Sequence, residues 1–177
     1  MIKGKKVKLR PLQIEDAKKT IMWRNDPVIK KMAMMHPFQV TEANEKEWYE
    51  QLLKDKNGKR MFFAILDEKN EAIGFVSLNN INKNSRHCTL SIVIGDVASQ
   101  GKGYGKDTMM TILNYAFTVL DLHKVSLEVI DINTKALQLY KDLGFTEEGR
   151  FKKHFFVEGN FHDVINLACF KETFSLH

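Results

Sequence analysis

Apolar residues recur along this chain in two rhythms, and the switches between them mark out its elements. Val7 to Arg10 alternates apolar and basic residues and stops at Pro11, the pattern of a short strand. Glu15 and Asp16 stand in the first turn of a predicted helix whose face carries Ala17, Ile21 and Met22. Asn25-Asp26-Pro27 ends it, because residues before proline avoid helical geometry. Val28 to Met35 shows no clear period. Thr41, with Asn44 and Glu45 three and four residues on, resembles a capping arrangement, and Trp48, Tyr49 and Leu52 line a helix running to about Lys56, closed by Asn57-Gly58. Three strand-like runs follow, Met61 to Leu66, Ala72 to Leu78 and Thr89 to Ile94, separated by turn-rich segments, which reads as an antiparallel meander.

In the second half, Gln100-Gly101-Lys102-Gly103-Tyr104-Gly105 leads into Met109, Leu113, Ala116, Phe117 and Leu120 at helical spacing, and a strand from Lys124 to Ile130 comes straight after. Asn133 opens a helix carrying Ala136, Leu137, Tyr140 and Leu143, with Gly144 where a left-handed residue would end it. Arg150 to Val157 and Phe161 to Phe170 flank Glu158-Gly159-Asn160 as a terminal hairpin. The predicted order is β-α-α-β-β-β-α-β-α-β-β. A crossover helix between the strands at 89–94 and 124–130 makes that pair parallel inside an otherwise antiparallel sheet, an α/β fold. With no repeat or linker, residues 1–177 read as one domain.

Composition narrows the class. Hydrophobic residues at 44%, charged residues at 28% and only three prolines exclude disordered and low-complexity chains. The longest uncharged apolar stretch, Thr108 to Leu120, is far short of the roughly 20 residues of a membrane span. Lys3, Lys5, Lys6, Lys8 and Arg10 have no apolar run behind them, so no secretory signal is written and a cytoplasmic protein is expected. Cys88 and Cys169 lack metal-ligand spacing, so no metal is expected and both thiols read as small buried hydrophobes. The net charge of +5 suits an anionic ligand. Helix-turn-helix, zinc-finger and RNP patterns are all missing, which leaves nucleic acid as a minor alternative resting on the Lys3 to Arg10 patch.

The glycine-rich loop carries the chemistry. Three glycines in five residues let backbone N–H groups crowd one point at a helix N-terminus, where the dipole favours phosphate. A Walker A loop fails because position 100 is Gln and Lys106 is followed by Asp107; a dinucleotide fingerprint fails because position 106 is Lys. Asn133 and Tyr140, seven residues apart, share one side of the next helix.

Gln100 to Gly105 resembles the Gln/Arg-x-x-Gly-x-Gly/Ala pyrophosphate loop of the GNAT superfamily of acetyl-CoA-dependent N-acetyltransferases. Asn133 to Phe145 is similar to that superfamily's Asn-x-x-Ala-x-x-x-Tyr-x-x-x-Gly-Phe segment. Lys8 to Leu12, Glu148-Gly149-Arg150 and Asn160 to Asp163 resemble its RimJ/RimL-type branch. The resemblance implies a sheet whose parallel pair splays apart. Ile92, Val93 and Ile94 would pair with the pantetheine arm, and the amides from Gly101 through Lys102, Gly103, Tyr104 and Gly105 to Lys106 would hold the pyrophosphate. An N–H near Val93 or Ile94 would stabilise the oxyanion. Asn133 would bond the pantetheine, and Tyr140 would act as general acid on the departing thiolate, with direct attack by the amine and no acyl-enzyme.

The base and the acceptor stay open. Many relatives carry Glu on the strand before the loop, including spermidine N-acetyltransferases, which the chain resembles at Phe117 to Leu120 and Phe155 to Gly159; here that position is Thr89. Glu128 is a substitute, with His87, His154, His162 and a water-mediated base as alternatives. The absent glutamate also keeps open a non-catalytic acyl-CoA sensor. Trp23-Arg24-Asn25 resembles a run in nucleotide-linked amino-sugar acetyltransferases, where Arg24 would meet a substrate phosphate and Trp23 would offer a stacking surface. A protein N-terminal amine, an amino sugar and a polyamine are the acceptors in view; the missing glutamate weighs against a polyamine and the basic balance favours the first two, and a homo-oligomer is compatible with all three.

Overall fold

Gly4 N–H donates to Val7 O (2.8 Å), turning the chain back on itself, so the predicted first strand is the second arm of a hairpin. In this computed structural model, which describes residues 1–54 and 57–175, β1 (Ile2–Lys3) pairs antiparallel with β2 (Lys8–Pro11). α1 (Ala17–Asn25) follows a single 3-10 turn. The Asp16 carboxylate, 6% exposed, accepts from both Arg10 guanidinium nitrogens (2.7 Å each) and from Gln13 N–H (2.8 Å). Burial pushes this carboxyl up, but those bonds outweigh it and hold Asp16 below the usual range.

The segment without a period begins with a helix, α2 (Pro27–Met32). Asp26 accepts from Val28 N–H and Ile29 N–H (2.9 Å each) and Pro27 takes the first helical position, so the dipeptide that stops α1 also starts α2. α3 is Glu42–Lys54, and Asn44 N–H donates to Thr41 Oγ1 (3.2 Å) as the capping pattern suggested; the expected end near Lys56 lies outside the described residues.

β3 (Met61–Leu66), β4 (Ala72–Asn82) and β5 (His87–Ile94) form the meander. Its second hairpin is longer than predicted because Asn79 to Asn82 keep pairing through a bulge to His87 despite their polar side chains. α4 (Tyr104–Thr118), β6 (Lys124–Ile130), α5 (Thr134–Asp142), β7 (Thr146–Val157) and β8 (Asn160–Phe170) complete the chain. The sheet runs β1-β2-β3-β4-β5-β6-β8-β7, with only β5 and β6 parallel. Relative to the predicted order, β1 and α2 are additional.

Each face of the sheet has its own core. Met109, Ile112, Leu113 and Ala116 of α4, with Tyr140 of α5 and Leu143 just past its end, pack on Val76, Leu90, Leu127 and Ile165. Trp23, Ile29 and Tyr49 of the first three helices pack on Ala64, Phe75 and Val93 on the opposite side. No helix among the described residues is long and apolar enough to cross a membrane.

Candidate active site

The parallel pair is a fork. β5 and β6 are in register only at His87–Lys124, Cys88–Val125 and Thr89–Ser126. Beyond that point β5 stays on β4 as far as Ile94, and β6 stays on β8 as far as Ile130. The β6-facing backbone groups between Leu90 and Ile94 are therefore left without a ladder partner, a strand edge open to an extended ligand. Ile92, Val93 and Ile94 all stand on that edge.

At the open end lies the glycine loop. Gly101 and Gly103 have φ of +76° and +88°, and Gly103 is the residue from which α4 starts. Asp107 N–H donates to Gly103 O (3.1 Å), and none of the six N–H groups from Gly101 to Lys106 has a hydrogen-bond partner among the described residues. Six free donors at the positive end of a fifteen-residue helix form an anion cradle. The side chains brace it: Gln100 Nε2 donates to Ile94 O (3.0 Å), Lys6 Nζ donates to Lys102 O (3.0 Å), and Tyr104 Oη donates to Glu68 Oε2 (2.5 Å). A Cβ at Gly105 would lie 3.8 Å from Ile94 Cγ1 and 3.9 Å from Leu139 Cδ2, so this residue faces the fork and α5.

α5 supplies the other predicted pair. Asn133 Oδ1 caps the helix through Ala136 N–H (3.3 Å), and its Nδ2 donates to Met32 O (3.4 Å). Tyr140 is 9% exposed, its ring packed near Phe145, and its hydroxyl has no hydrogen-bond partner among the described residues. Burial pushes this phenol up to about 12. The buried thiols of Cys88 and Cys169 move the same way, to about 12 and about 11, which leaves them un-ionised at neutral pH.

The opposite face of the fork carries a second cleft, of about 260 Å³, lined by Arg24, Trp48, Phe62, Phe75, Asn79 and Ser91 among others. Strand alternation and register put Ser77, Asn79, Thr89, Ser91, Ser126, Glu128 and Asn166 on that one face. Glu128 stands two residues past the last paired position, exposed and with no hydrogen-bond or ion-pair partner among the described residues. Asn166, opposite it on β8, has a buried Oδ1 without a partner.

The other base candidates are dispersed. Thr89 is engaged, donating to Asn79 O and accepting from Asn80 Nδ2 (3.1 Å each). His87 lies in the closed end of the fork, and His154 is on the exposed hairpin beside Phe151. His162 Nδ1 is 3.2 Å from Asp131 Oδ1 just past the end of β6.

The Trp23-Arg24-Asn25 expectation needs correction. Trp23 is 7% exposed, its ring packed over Gly95, so it belongs to the core and offers no stacking surface. Both ends of the Asn25 carboxamide bond the Val40 backbone (2.8 Å each), anchoring the approach to α3. Arg24 does reach the cleft, with its guanidinium carbon 4.9 Å from the centre of the Trp48 ring, but it is ion-paired to Glu45. Glu45, 1% exposed, also accepts from Thr20 Oγ1 (2.6 Å), which lies 3.1 Å from Tyr49 Oη. Sequence reasoning missed this network. Its signal was Glu45 itself, which lies one turn before Trp48 and Tyr49 and two turns before Leu52 on the inward stripe.

A splayed parallel pair, an amide cradle at a helix start and a buried phenol make a surface suited to an extended, phosphate-bearing ligand held by backbone. Residues 6–146 match the acetyltransferase (GNAT) domain family. Over 128 residues the chain is 34% identical to the spermidine N(1)-acetyltransferase of Vibrio cholerae, covering 72% of each. A crystal structure of the V. cholerae spermidine N-acetyltransferase with CoA and spermine matches with a TM-score of 0.88 at 29% identity, covering 94% of this chain and 96% of that one. A dodecameric structure of a V. cholerae spermidine N-acetyltransferase matches at 0.80 with 30% identity, covering 94% of each. The chain belongs to the GNAT family and is an acetyl-CoA-dependent N-acetyltransferase.

Proposed function

We propose that the chain acetylates a primary amine of a small polyamine by direct attack on the acetyl-CoA thioester. The observation that carries this is Glu128, an unpaired carboxylate on the acceptor face of the fork beside the position the thioester would occupy. A carboxylate there attracts an ammonium and takes its proton, directly or through a water. Whole-chain similarity to enzymes named for spermidine supports the same acceptor class.

On the donor face, the Gly101 to Lys106 amides hold the pyrophosphate and the open edge at Ile92 to Ile94 pairs with the pantetheine. Asn133 exchanges its long bond to Met32 O for a pantetheine amide. The backbone at Val93 and Ile94 receives the oxyanion. Tyr140 donates to the departing sulphur. A phenol raised to about 12 stays protonated beside a thiol whose ordinary pKa is about 8.5, so stabilising the developing thiolate through the hydrogen bond precedes any complete proton transfer.

One observation favours a second reading. The cleft around Arg24 and Trp48 has no carboxylate in its lining and is floored by Ser77, Asn79 and Ser91, groups that suit the hydroxyls of an amino sugar. The enzyme acts in the cytoplasm on this proposal, where buried, reduced Cys88 and Cys169 are stable. Exposed Phe156 (58%) and Phe161 (63%) on the terminal hairpin provide an apolar edge for self-association.

Mass spectrometry of products formed from acetyl-CoA with spermidine, peptides bearing free N-termini, and free and nucleotide-linked amino sugars tests the acceptor. Acetylspermidine as the dominant product is expected. An acetylated sugar or peptide with unmodified spermidine would replace the polyamine.

A further inference from the structure

The row of residues that crosses the sheet at the mouth of the fork does not stop at Glu128. Ser77 and Ser91 are register partners on one side of the opening, and Glu128, Asn166 and Gly149 are partners in succession on the other. Directly opposed residues of antiparallel strands share a face, with Cβ atoms about 5 Å apart. The Asn166 carboxamide therefore stands beside the Glu128 carboxylate on the acceptor face, with a glycine on its other flank.

Neither Asn166 nor Gly149 is explained by the fold. Asn166 is half-buried, its Oδ1 is shielded from solvent, and neither end of the carboxamide has a hydrogen-bond partner among the described residues. An acceptor left unpaired out of water weakens a fold, and an apolar residue of the same shape would avoid that loss. Gly149 sits at the β7 bulge with a φ outside the left-handed region, and a Cβ there would meet nothing within 4 Å. Neither strain nor crowding requires glycine; its effect is to leave the space beside Asn166 open. The charged neighbours of Gly149 are engaged by other pairs, Glu148 with Lys124 (2.6 Å) and Arg150 with Glu147 and Asp163 (3.4 Å each).

We propose that Asn166 binds the acceptor nitrogen and that Gly149 keeps the approach to it clear. The proposal rests on the polyamine reading of the Glu128 face and adds to it a second, neutral contact. A turn about the last side-chain torsion, which is broad for a carboxamide, brings Oδ1 to the acceptor side. There it accepts one N–H of the amine while Glu128 takes the proton that leaves, and no proton or electron pair moves through Asn166 itself. A carboxamide suits this position better than a carboxylate. Its oxygen accepts from an ammonium and from a neutral amine alike, whereas a second negative charge beside Glu128 would favour the ammonium, which has no lone pair for attack.

Steady-state kinetics of the full chain with acetyl-CoA and spermidine, paired with urea unfolding, test this. Asn166→Leu should lower kcat/KM for spermidine about tenfold, the scale of one charge-assisted hydrogen bond, and leave acetyl-CoA affinity within about twofold. Its urea midpoint should equal or exceed that of the wild type, because the variant sheds an unpaired acceptor. Asn166→Asp should hold the spermidine KM yet lose about tenfold in kcat at pH 8, a deficit that narrows as pH approaches 10. Gly149→Leu should raise the spermidine KM about fivefold with kcat maintained. Wild-type kinetics in Asn166→Leu overturn the role of Asn166 while leaving the polyamine reading intact, as does a loss of activity matched by a fall in the urea midpoint. Full kcat in Asn166→Asp at pH 8 overturns the argument for a neutral contact, and an unchanged KM in Gly149→Leu overturns the open approach. Failure of the wild type to acetylate spermidine overturns the polyamine reading and this proposal together.

Discussion

The two faces of the fork are built from different materials. The donor face is mostly backbone: an unpaired strand edge at Ile92 to Ile94, six free N–H groups from Gly101 to Lys106, and one phenol. The acceptor face is mostly side chain: a cleft floored by Ser77, Asn79 and Ser91, with Glu128 on the same sheet face outside its lining, and a wall in which Arg24 is held between Glu45 and the Trp48 ring. Backbone recognition suits a ligand whose phosphates and amides never vary. Side-chain recognition is the part that substitution can retune, so the acceptor face is where this chain's individuality lies.

The harshest way to break the donor half is Gly103→Val. A β-branched residue at φ +88° is strained whatever space surrounds it, and it stands at the start of α4 where the cradle is formed. Loss of acetyl-CoA affinity by more than about 100-fold is expected, since the loop amides supply the phosphate contacts together. Calorimetry checks it, with circular dichroism to confirm that the fold survives. Affinity close to wild type would mean that the cradle lies elsewhere.

Tyr140→Phe acts where the two halves meet. It should lower kcat by about 100-fold, a modest value for an acid–base group, and leave acetyl-CoA affinity within about twofold. The pH profile carries the sign. A general acid works while protonated, and burial has raised this phenol to about 12, so its deprotonation removes no activity until pH approaches that value. The wild-type rate should therefore rise with pH up to about pH 10 as the amine loses its proton, with no descending limb in that range. A descending limb centred below pH 10 would assign the acid role to another group.

What the sequence disclosed divides along the same line. The glycine spacing of the loop, the parallel crossover and the Asn133–Tyr140 helix were legible because each is a local pattern: a positive φ, a 3.6-residue period, a cap. The acceptor wall was not. Trp23, Arg24 and Asn25 are consecutive, yet one packs on Gly95, one pairs with Glu45 and one clamps Val40, partners between 15 and 72 positions away along the chain. A three-residue likeness gives no hint of which direction each side chain takes. β1 escaped notice for a related reason, since a two-residue strand has no period to read and exists through pairing with β2. Glu45 was hidden because a buried carboxylate makes sense only once its cation is in place.

The acceptor half is sharpened by Arg24→Gln, whose effect is the smallest of the three. Removing the guanidinium leaves the Glu45 carboxylate, with its side chain 2% exposed, in contact with Thr20 but without a cation. Breaking a buried pair from one side is destabilising, and because Arg24 keeps 27% of its side chain exposed the cost should be about 2 kcal/mol in urea unfolding. The acceptor KM should rise by about tenfold, as the wall beside Trp48 loses its ordered edge, while acetyl-CoA affinity stays unchanged because no donor contact passes through Arg24. Adding Glu45→Gln tests the cause. If the loss comes from an orphaned charge, the double variant regains part of the stability of Arg24→Gln; if it comes from lost packing on Trp48, the second change makes matters worse. A parallel fall in acetyl-CoA affinity in the single variant would show that the two faces are energetically one site, and that the division between backbone and side-chain recognition does not separate donor from acceptor.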